Sequence, residues 1–395
     1  MKIFYYPNGG IIVNKLPELF DSFNEARKKG FIEVKALKDK GVKIVGTYCV
    51  FTPRELILAA GAVPVSLCSM HEEPIPDAEK YLPRNLCPLI KASYGFGMTD
   101  TCPYFYFSDL LIGETTCDGK KKMYEHLGKI KPMHIMLLPQ TLEASDSFLL
   151  WKNEILRLKY RLEKELSVEI TEYKLKKAII DRNNERKVLK RFYQMATLVP
   201  PPIWGLEMHE VLYGSSFKMN KEKLNENVED ITNKILENFN NGERNVPISA
   251  KRILLTGCPI GGDTKKIIKI IENNGGVVVC FENCSGLKSK NTFIDEDKAP
   301  IDAIAEKYLT IPCSCMSPNN GRLDLISSLI DEYKIDGVVD VILHACHTYN
   351  VESHAIMNFV QQQKKLPYIK IETDFSPNDI EQLNTRLGAF IEMMK

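Results

Sequence analysis

The chain has 395 residues, which is long for a single hydrophobic core, so two or more domains are expected. Its composition is that of an ordinary globular protein, with 44% hydrophobic and 26% charged residues. The formal net charge of +1 argues against binding to nucleic acid or to a membrane surface, because both functions require a basic excess.

Neither a membrane span nor a secretion signal is visible in the sequence. No apolar run approaches the roughly 20 residues that cross a bilayer. The segment Met1–Pro7 has neither the apolar core nor the cleavage site of a signal peptide. We therefore expect a soluble, cytoplasmic protein.

Eleven cysteines in such a protein need an explanation. Disulfide frameworks belong to secreted proteins, and the count is odd. The chain contains no Cys-x-x-Cys pair, so neither a zinc ribbon nor a ferredoxin-type run is indicated. A metal site must therefore gather ligands from distant parts of the fold, and buried inert thiols are the alternative for some of the cysteines.

A βαβ unit is predicted after a charged, helical stretch at Asn14–Lys29. The β-branched strand 43–48 ends at Cys49, and the strand 62–67 ends at Cys68. Between them, Thr52–Glu55 has the pattern of a capping box that starts a helix. A strand, a helix and a strand within so short a segment predict a parallel sheet with a right-handed crossover.

The segment Leu110–Met123 reads as a strand, a tight turn and a helix. Cys117 stands at the turn, and in parallel α/β sheets ligands bind outside the carboxyl ends of the strands. The bend is predicted at Asp118-Gly119. Lys120–Lys122 then form a solvated first helical turn, or alternatively a surface that steers a partner. A further strand is predicted at His134–Leu138.

Apolar residues at helical spacing predict helices from residue 141 to about 242. The basic cluster Arg182–Arg191 is interpreted as a solvated helix face. A second α/β pattern follows, with strands at 252–256, 277–281, 337–343 and 368–371. We therefore predict an α/β fold: two doubly wound, Rossmann-like parallel-sheet domains, residues 1–140 and 246–395, joined by a helical segment, residues 141–245.

Six cysteines stand just past the carboxyl ends of predicted strands: Cys49, Cys68, Cys117, Cys258, Cys284 and Cys346. If the two domains face each other across a cleft, these thiols converge there. Thiolates from several strand ends, without zinc spacing, fit an iron–sulfur cluster best among metal sites. The alternative is that they are small apolar turn residues.

Other motifs near these strand ends give weaker signals. Gly257–Thr264 has the glycine spacing of a phosphate loop, but Asp263 occupies the place of the essential lysine, so nucleotide binding is not expected there. His344 and His347 flank Cys346 and could relay protons near neutral pH. Structural, hydrogen-bonded histidines are the alternative for both.

Several long segments resemble the 2-hydroxyacyl-CoA dehydratase and benzoyl-CoA reductase superfamily, and within it the double-cubane cluster protein branch. They are GTYCVFTPRELILAAGA around Cys49, LPRNLCPLIKASYGF around Cys87, GETTCDGKKKMYE around Cys117, ENCSG around Cys284, HACHTYNVES around Cys346, and IETDFSPND near the end. The likeness covers nearly the whole chain.

The resemblance implies a set of cluster ligands. The positions that match the [4Fe–4S] ligands of the dehydratases are Cys87, Cys117 and Cys346. A double cubane, two [4Fe–4S] units bridged by a sulfide, requires about six thiolates. The resemblance favours Cys49, Cys284 and Cys315 as the further ligands, with Cys313 and Cys258 as alternatives to Cys315.

The resemblance also implies a function and partners. It predicts a homodimeric reductase of anaerobic metabolism that acts on small molecules and receives low-potential electrons from a separate, ATP-hydrolysing iron–sulfur activator. The second hypothesis is a single-[4Fe–4S] subunit of a 2-hydroxyacyl-CoA dehydratase, a lyase that needs a different second subunit. The third is a binding or structural protein whose cysteines are inert.

Overall fold

The structure is a computed structural model that describes residues 3–5, 11–13, 23 and 25–394. Most of the predicted helical stretch Asn14–Lys29 lies outside the described residues. Within the described ranges, none of the helices combines the length and the apolar character needed to cross a membrane.

The first sheet has four parallel strands in the order β4-β3-β5-β6. Its strands are β3 (Ile44–Thr47), β4 (Val63–Ser66), β5 (Leu110–Glu114) and β6 (Met133–Met136), and the short strands β1 (Ile3–Tyr5) and β2 (Ile11–Val13) pair antiparallel elsewhere. The helices of this half are α1 (Ala26–Asp39), α2 (Arg54–Ala59), α3 (Ile75–Ala78), α4 (Pro88–Thr99), α5 (Pro103–Phe107) and α6 (Asp118–Leu127).

Four helices follow, as the helical periodicity predicts: α7 (Ser147–Leu166), α8 (Glu172–Gln194), α9 (Gly205–Ser215) and α10 (Lys221–Asn240). The apolar stripe that begins at Ile155 and Leu158 is buried, because it packs on the first sheet. Tyr173, which continues the same spacing, is 78% exposed, because α8 begins a new helix at Glu172.

The second sheet also has four parallel strands, in the order β8-β7-β9-β10. They are β7 (Lys251–Gly257), β8 (Gly276–Glu282), β9 (Gly337–Leu343) and β10 (Tyr368–Thr373), accompanied by α11 (Lys266–Asn273), α12 (Pro300–Leu309), α13 (Asn320–Glu332), α14 (His347–Asn358) and α15 (Ile380–Glu392). The predicted α/β class with two parallel sheets is confirmed.

The two halves share apolar cores where the sheets meet. One core joins Val65 and Leu111 of the first sheet to Ile342 and Leu343 of β9. Another joins the first sheet and α7 to α12 and the loop after it. The carboxyl ends of both sheets therefore border one shared interior.

The predicted capping box at Thr52–Glu55 does not form. The N-cap residue of α2 is Pro53, and no side chain caps the helix. The Thr52 hydroxyl instead donates to the buried carboxylate of Glu114, at the end of β5. The Glu55 carboxylate turns into the interior and pairs there with the Arg186 guanidinium.

Candidate functional site

The carboxyl ends of six of the eight parallel strands are followed by a cysteine within three residues, as the sequence predicts. Cys258 comes directly after β7, where Gly257 has φ +97 and its Cα approaches the β9 backbone. A Cβ at that position would lie 2.3 Å from the carbonyl oxygen of Val341. Only glycine fits this close approach, which sets Cys258 against β9.

A cavity of about 810 Å³ lies between the two sheets. Nine of the eleven cysteines line it: Cys49, Cys68, Cys87, Cys117, Cys258, Cys284, Cys313, Cys315 and Cys346. All six predicted ligands are in this set, although their role as ligands stays a prediction. Cys102, which precedes α5, and Cys280, which lies inside β8, are not among the lining residues.

Four of the thiols form one group, the Cys346 group, consisting of Cys87, Cys117, Cys258 and Cys346. Hydrogen bonds from Cys258 and Cys87 lower the pKa of Cys346 to about 3. The Cys258 sulfur also accepts a hydrogen bond from the Leu343 amide at 3.3 Å. Burial raises the pKa of Cys117, and its main thiol neighbour is Cys346, with Cys313 second.

Four further thiols form the Cys313 group: Cys49, Cys284, Cys313 and Cys315. A hydrogen bond from Cys315 lowers the pKa of Cys313 to about 5. Burial raises the pKa of Cys49 and of Cys284, and each feels the charge of Cys313. Because Cys117 also feels Cys313, the two groups are neighbours within one cavity.

The interpretation of the lysines after Cys117 as a solvated turn is wrong for one of the three. Cys117 is itself the N-cap residue of α6, so Lys120 falls in the first turn and points into the cavity. Its ammonium donates to the Tyr48 carbonyl at 2.8 Å and lies 3.8 Å from the Cys68 sulfur. Lys121 and Lys122 have exposed side chains, as predicted.

The interpretation of Arg182–Arg191 as a solvated helix face is also wrong at its start. Arg186 is 3% exposed and donates to the buried Glu55 carboxylate at 2.6 Å, and the Tyr308 hydroxyl donates to the same carboxylate at 2.8 Å. Burial would raise the pKa of Glu55, but Arg186 and Arg182 lower it to about 2. The Glu55 carboxylate thereby joins α2 to α8 through Arg186 and to α12 through Tyr308.

The cavity wall is strongly basic. Among the described residues that line it, seven are Lys or Arg and only Asp118 is a carboxylate. The seven are Arg54, Lys120, Lys121, Arg182, Arg186, Lys290 and Lys307. No local pattern in the sequence distinguishes Arg54, Lys290 or Lys307 from surface residues, so their place in the cavity wall could not be predicted.

The two histidines proposed as proton carriers lie in different places. His347, the first residue of α14, lines the cavity. His344 is exposed and is not among the lining residues, and its backbone amide donates to the Thr373 carbonyl at 2.9 Å. A catalytic role stays a prediction for both.

The donor set suits an iron–sulfur cluster. Thiolates are the ligands that hold such clusters, and the lining supplies more than the six that a double cubane needs. Within residues 25–394, no three His, Cys, Asp or Glu side chains are arranged to hold a single metal ion. The thiols are instead distributed around the wall of the cavity.

A sequence model of the family described as "2-hydroxyglutaryl-CoA dehydratase, D-component" matches residues 49–394. The protein named "Putative dehydratase subunit YjiM", from Escherichia coli (strain K12), is 52% identical over 383 residues, which are 97% of this chain and 100% of the relative.

Two further relatives are dehydratase subunits by name. The (R)-phenyllactyl-CoA dehydratase beta subunit of Clostridium sporogenes is 26% identical over 367 residues, 91% of this chain and 94% of the relative. Subunit beta of (R)-2-hydroxyglutaryl-CoA dehydratase from Acidaminococcus fermentans is 21% identical over 397 residues, 97% of this chain and 100% of the relative. The likeness therefore extends over whole chains.

Proposed function

Since the chain belongs to the family of the 2-hydroxyglutaryl-CoA dehydratase D-component, we propose that it is the iron–sulfur component of an ATP-dependent reductase. In this proposal it holds a double-cubane cluster and reduces small molecules with electrons from a separate, ATP-hydrolysing activator. The observation that carries the proposal is the convergence of nine thiols on one cavity, eight of them in two neighbouring groups of four.

Each thiol group would hold one cubane. Cys87, Cys117 and Cys346 would hold the first, and Cys49, Cys284 and Cys315 the second. The bound cluster would supply one-electron transfers at low potential. The surplus thiols, Cys258 and Cys313, are the nearest substitutes in their respective groups, because each hydrogen bonds to a proposed ligand.

The protein's own residues would control charge and protons around the cluster. Lys120 would hold a positive charge beside the thiolates, and burial between the two sheets would limit the access of water. We propose His347 as the first candidate for a proton carrier because it lines the cavity, with His344 as the second.

The electrons would come from another polypeptide. The turn after β7 lacks the lysine of a phosphate loop, and Asp263 in its place is held by the Glu72 amide at 2.9 Å and by His71 at 3.3 Å. A separate activator that hydrolyses ATP, together with assembly of this chain as a homodimer, completes the proposal.

Iron analysis of the anaerobically purified protein tests the double cubane. We expect about eight irons per chain, four in each cubane. Cys284→Ser should remove about half of the iron. Cys280→Ser is the matched control, because Cys280 is buried four residues away but does not line the cavity, and it should leave the iron count unchanged.

The second candidate is a [4Fe–4S] subunit of a 2-hydroxyacyl-CoA dehydratase, favoured by the names of the relatives. About four irons per chain, with activity that depends on a different second subunit, would favour this candidate over the double cubane. An unchanged iron count in Cys284→Ser would exclude Cys284 as a ligand under either function.

A further inference from the structure

One side of the cavity carries a group of basic side chains that we call the basic arm: Arg54, Arg182, Arg186, Lys290 and Lys307. They come from distant segments. Arg54 begins α2, Arg182 and Arg186 lie on α8, Lys290 lies in the loop between β8 and α12, and Lys307 lies on α12. The fold thus brings five basic side chains to one wall of an interior cavity.

The carboxylates near the basic arm are already paired. Glu55 is bound by Arg186 and Tyr308. Glu185 is bound by Arg182 and lies 3.3 Å from the ammonium of Lys221. The two carboxylates, Glu55 and Glu185, are therefore already paired with Arg186, Arg182 and Lys221.

Three members of the basic arm pair with no carboxylate within the described part of the chain. Arg54 donates to the Ser66 hydroxyl at 2.7 Å, Lys290 to the Ser285 carbonyl at 2.8 Å, and Lys307 to the Ser289 carbonyl at 2.9 Å. All three partners are neutral oxygens. Burial lowers the pKa of Lys307 well below its ordinary value, so Lys307 is the member that most readily loses its charge. Arg54 and Lys290 are half-buried cations, and a partly buried cation without a counter-ion is costly, so the arm is electrostatically incomplete.

Burial, and after it the charge of neighbouring cations, lowers the pKa of two members of the arm. Burial and the nearby Arg182 and Arg54 cations lower the pKa of Lys290 to about 8. Burial and Arg182 also lower the pKa of Arg54. In addition, Nε of Arg182 is buried and makes no hydrogen bond within the described residues.

Basic side chains also line a second space, which no thiol lines. A second, smaller cavity of about 40 Å³ is lined by Arg54, Arg182, Arg186, Lys221 and Lys290 together with Glu185, Leu189, Leu212, Ser215 and Ser216, and by no cysteine. Its volume exceeds that of a single water site. Charge compensation for thiolates does not explain cations that converge on a space without thiols.

We propose that the basic arm is a binding site for the anionic group, a carboxylate or a phosphate, of a small substrate. Arg54 and Lys290 line both cavities and pair with no carboxylate among the described residues, so a bound anion lies next to the thiol-lined space. The role as a substrate site rests on the proposed function, but anion binding itself is measurable without turnover.

The test is isothermal titration calorimetry of the anaerobically purified holoprotein at fixed ionic strength, with inorganic phosphate and with acetate as probes. We expect saturable binding of at least one of the two, weakened about tenfold or more in Arg54→Gln and in Lys290→Gln. Arg54→Lys should retain more affinity than Arg54→Gln, because it keeps the charge. The control Lys129→Gln, at an exposed lysine, should bind as the wild type does.

Saturable binding that is unchanged in both glutamine variants, or no saturable binding to the wild type, would overturn the proposal. Coenzyme A is a third probe, and binding of coenzyme A alone would overturn the small-anion class. Iron is counted in every sample, so the two proposals fail separately. About eight irons without anion binding removes this site alone, whereas four irons with anion binding removes the double cubane alone.

Discussion

Replacing Glu55 by glutamine removes the charge that holds three segments together. Glu55 is fully buried, and its carboxylate accepts hydrogen bonds from Arg186 at 2.6 Å and from Tyr308 at 2.8 Å. Glutamine has nearly the same shape, so Glu55→Gln leaves the packing in place. It leaves the Arg186 guanidinium buried without its counter-ion.

Two routes give the same magnitude for this loss. The pKa of Glu55 is lowered from 4.5 to about 2, which corresponds to about 3 kcal/mol of stability. Because the folded-state pKa lies below the unfolded value, this contribution is present in full above about pH 4.5 and is lost as the pH falls towards 2. Breaking a buried ion pair by removing one partner costs about 3–5 kcal/mol, which agrees.

Urea unfolding of the holoprotein at neutral pH, followed by circular dichroism, measures the change. We expect Glu55→Gln to lower the free energy of unfolding by about 3 kcal/mol. Asp181→Asn is the control, since Asp181 forms an exposed pair with Lys177 on the same helix at 2.8 Å and should cost about 0.5 kcal/mol or less.

A double variant separates the ion pair from other effects of the substitution. Glu55→Gln with Arg186→Met removes the buried charge as well, so it should be more stable than Glu55→Gln alone. A free energy of unfolding for Glu55→Gln within about 1 kcal/mol of the wild type would refute the stabilising role of the ion pair, because ordinary surface changes cost about as much. That role is also refuted if the double variant is the less stable of the two.

Two further predictions concern the thiol-lined cavity. Lys120→Met should lower the reduction potential of the bound cluster, because it removes a cation whose charge interacts with the proposed ligands Cys49 and Cys117. A redox titration against the exposed-site control Lys122→Met measures the change, and equal potentials in the two variants would contradict it. Gly257→Ala should be less stable than Gly275→Ala by about 1–3 kcal/mol in thermal unfolding, since both have positive φ but only Gly257 would place a Cβ 2.3 Å from a backbone oxygen. Equal melting temperatures would contradict the steric argument.

The positions of the strand-end cysteines could be predicted because they depend on local sequence. A strand followed by a turn and a helix fixes where the chain leaves a parallel sheet, so Cys49 and Cys117 could be assigned to the sheet edge without knowing the rest of the fold. Cys313 and Cys315 follow no strand. They reach the cavity because α12 packs against α7, which no pattern within their own segment indicates.

The orientations of charged side chains could not be predicted for a related reason. Arg186 is 131 residues from Glu55 in the sequence, and only the fold makes the ion pair that buries it. Lys120 turns inward because α6 begins at Asp118. A run of basic residues on a helix indicates exposure only when no distant partner or cavity lies on that side.

The charges of the cavity wall bear on how its thiols can ionise together. Every thiolate added to a shared interior raises the cost of the next, so a cluster held by several thiolates needs positive charge near it. Lys120 lies beside the thiols and supplies such a charge. Arg54 and Lys290, by contrast, also line a space that contains no cysteine, so cluster assembly alone does not account for them. The basic side chains of the wall therefore have two roles, which are the compensation of thiolate charge and the binding of an anion. A variant such as Arg54→Gln should impair anion binding while leaving the iron content intact.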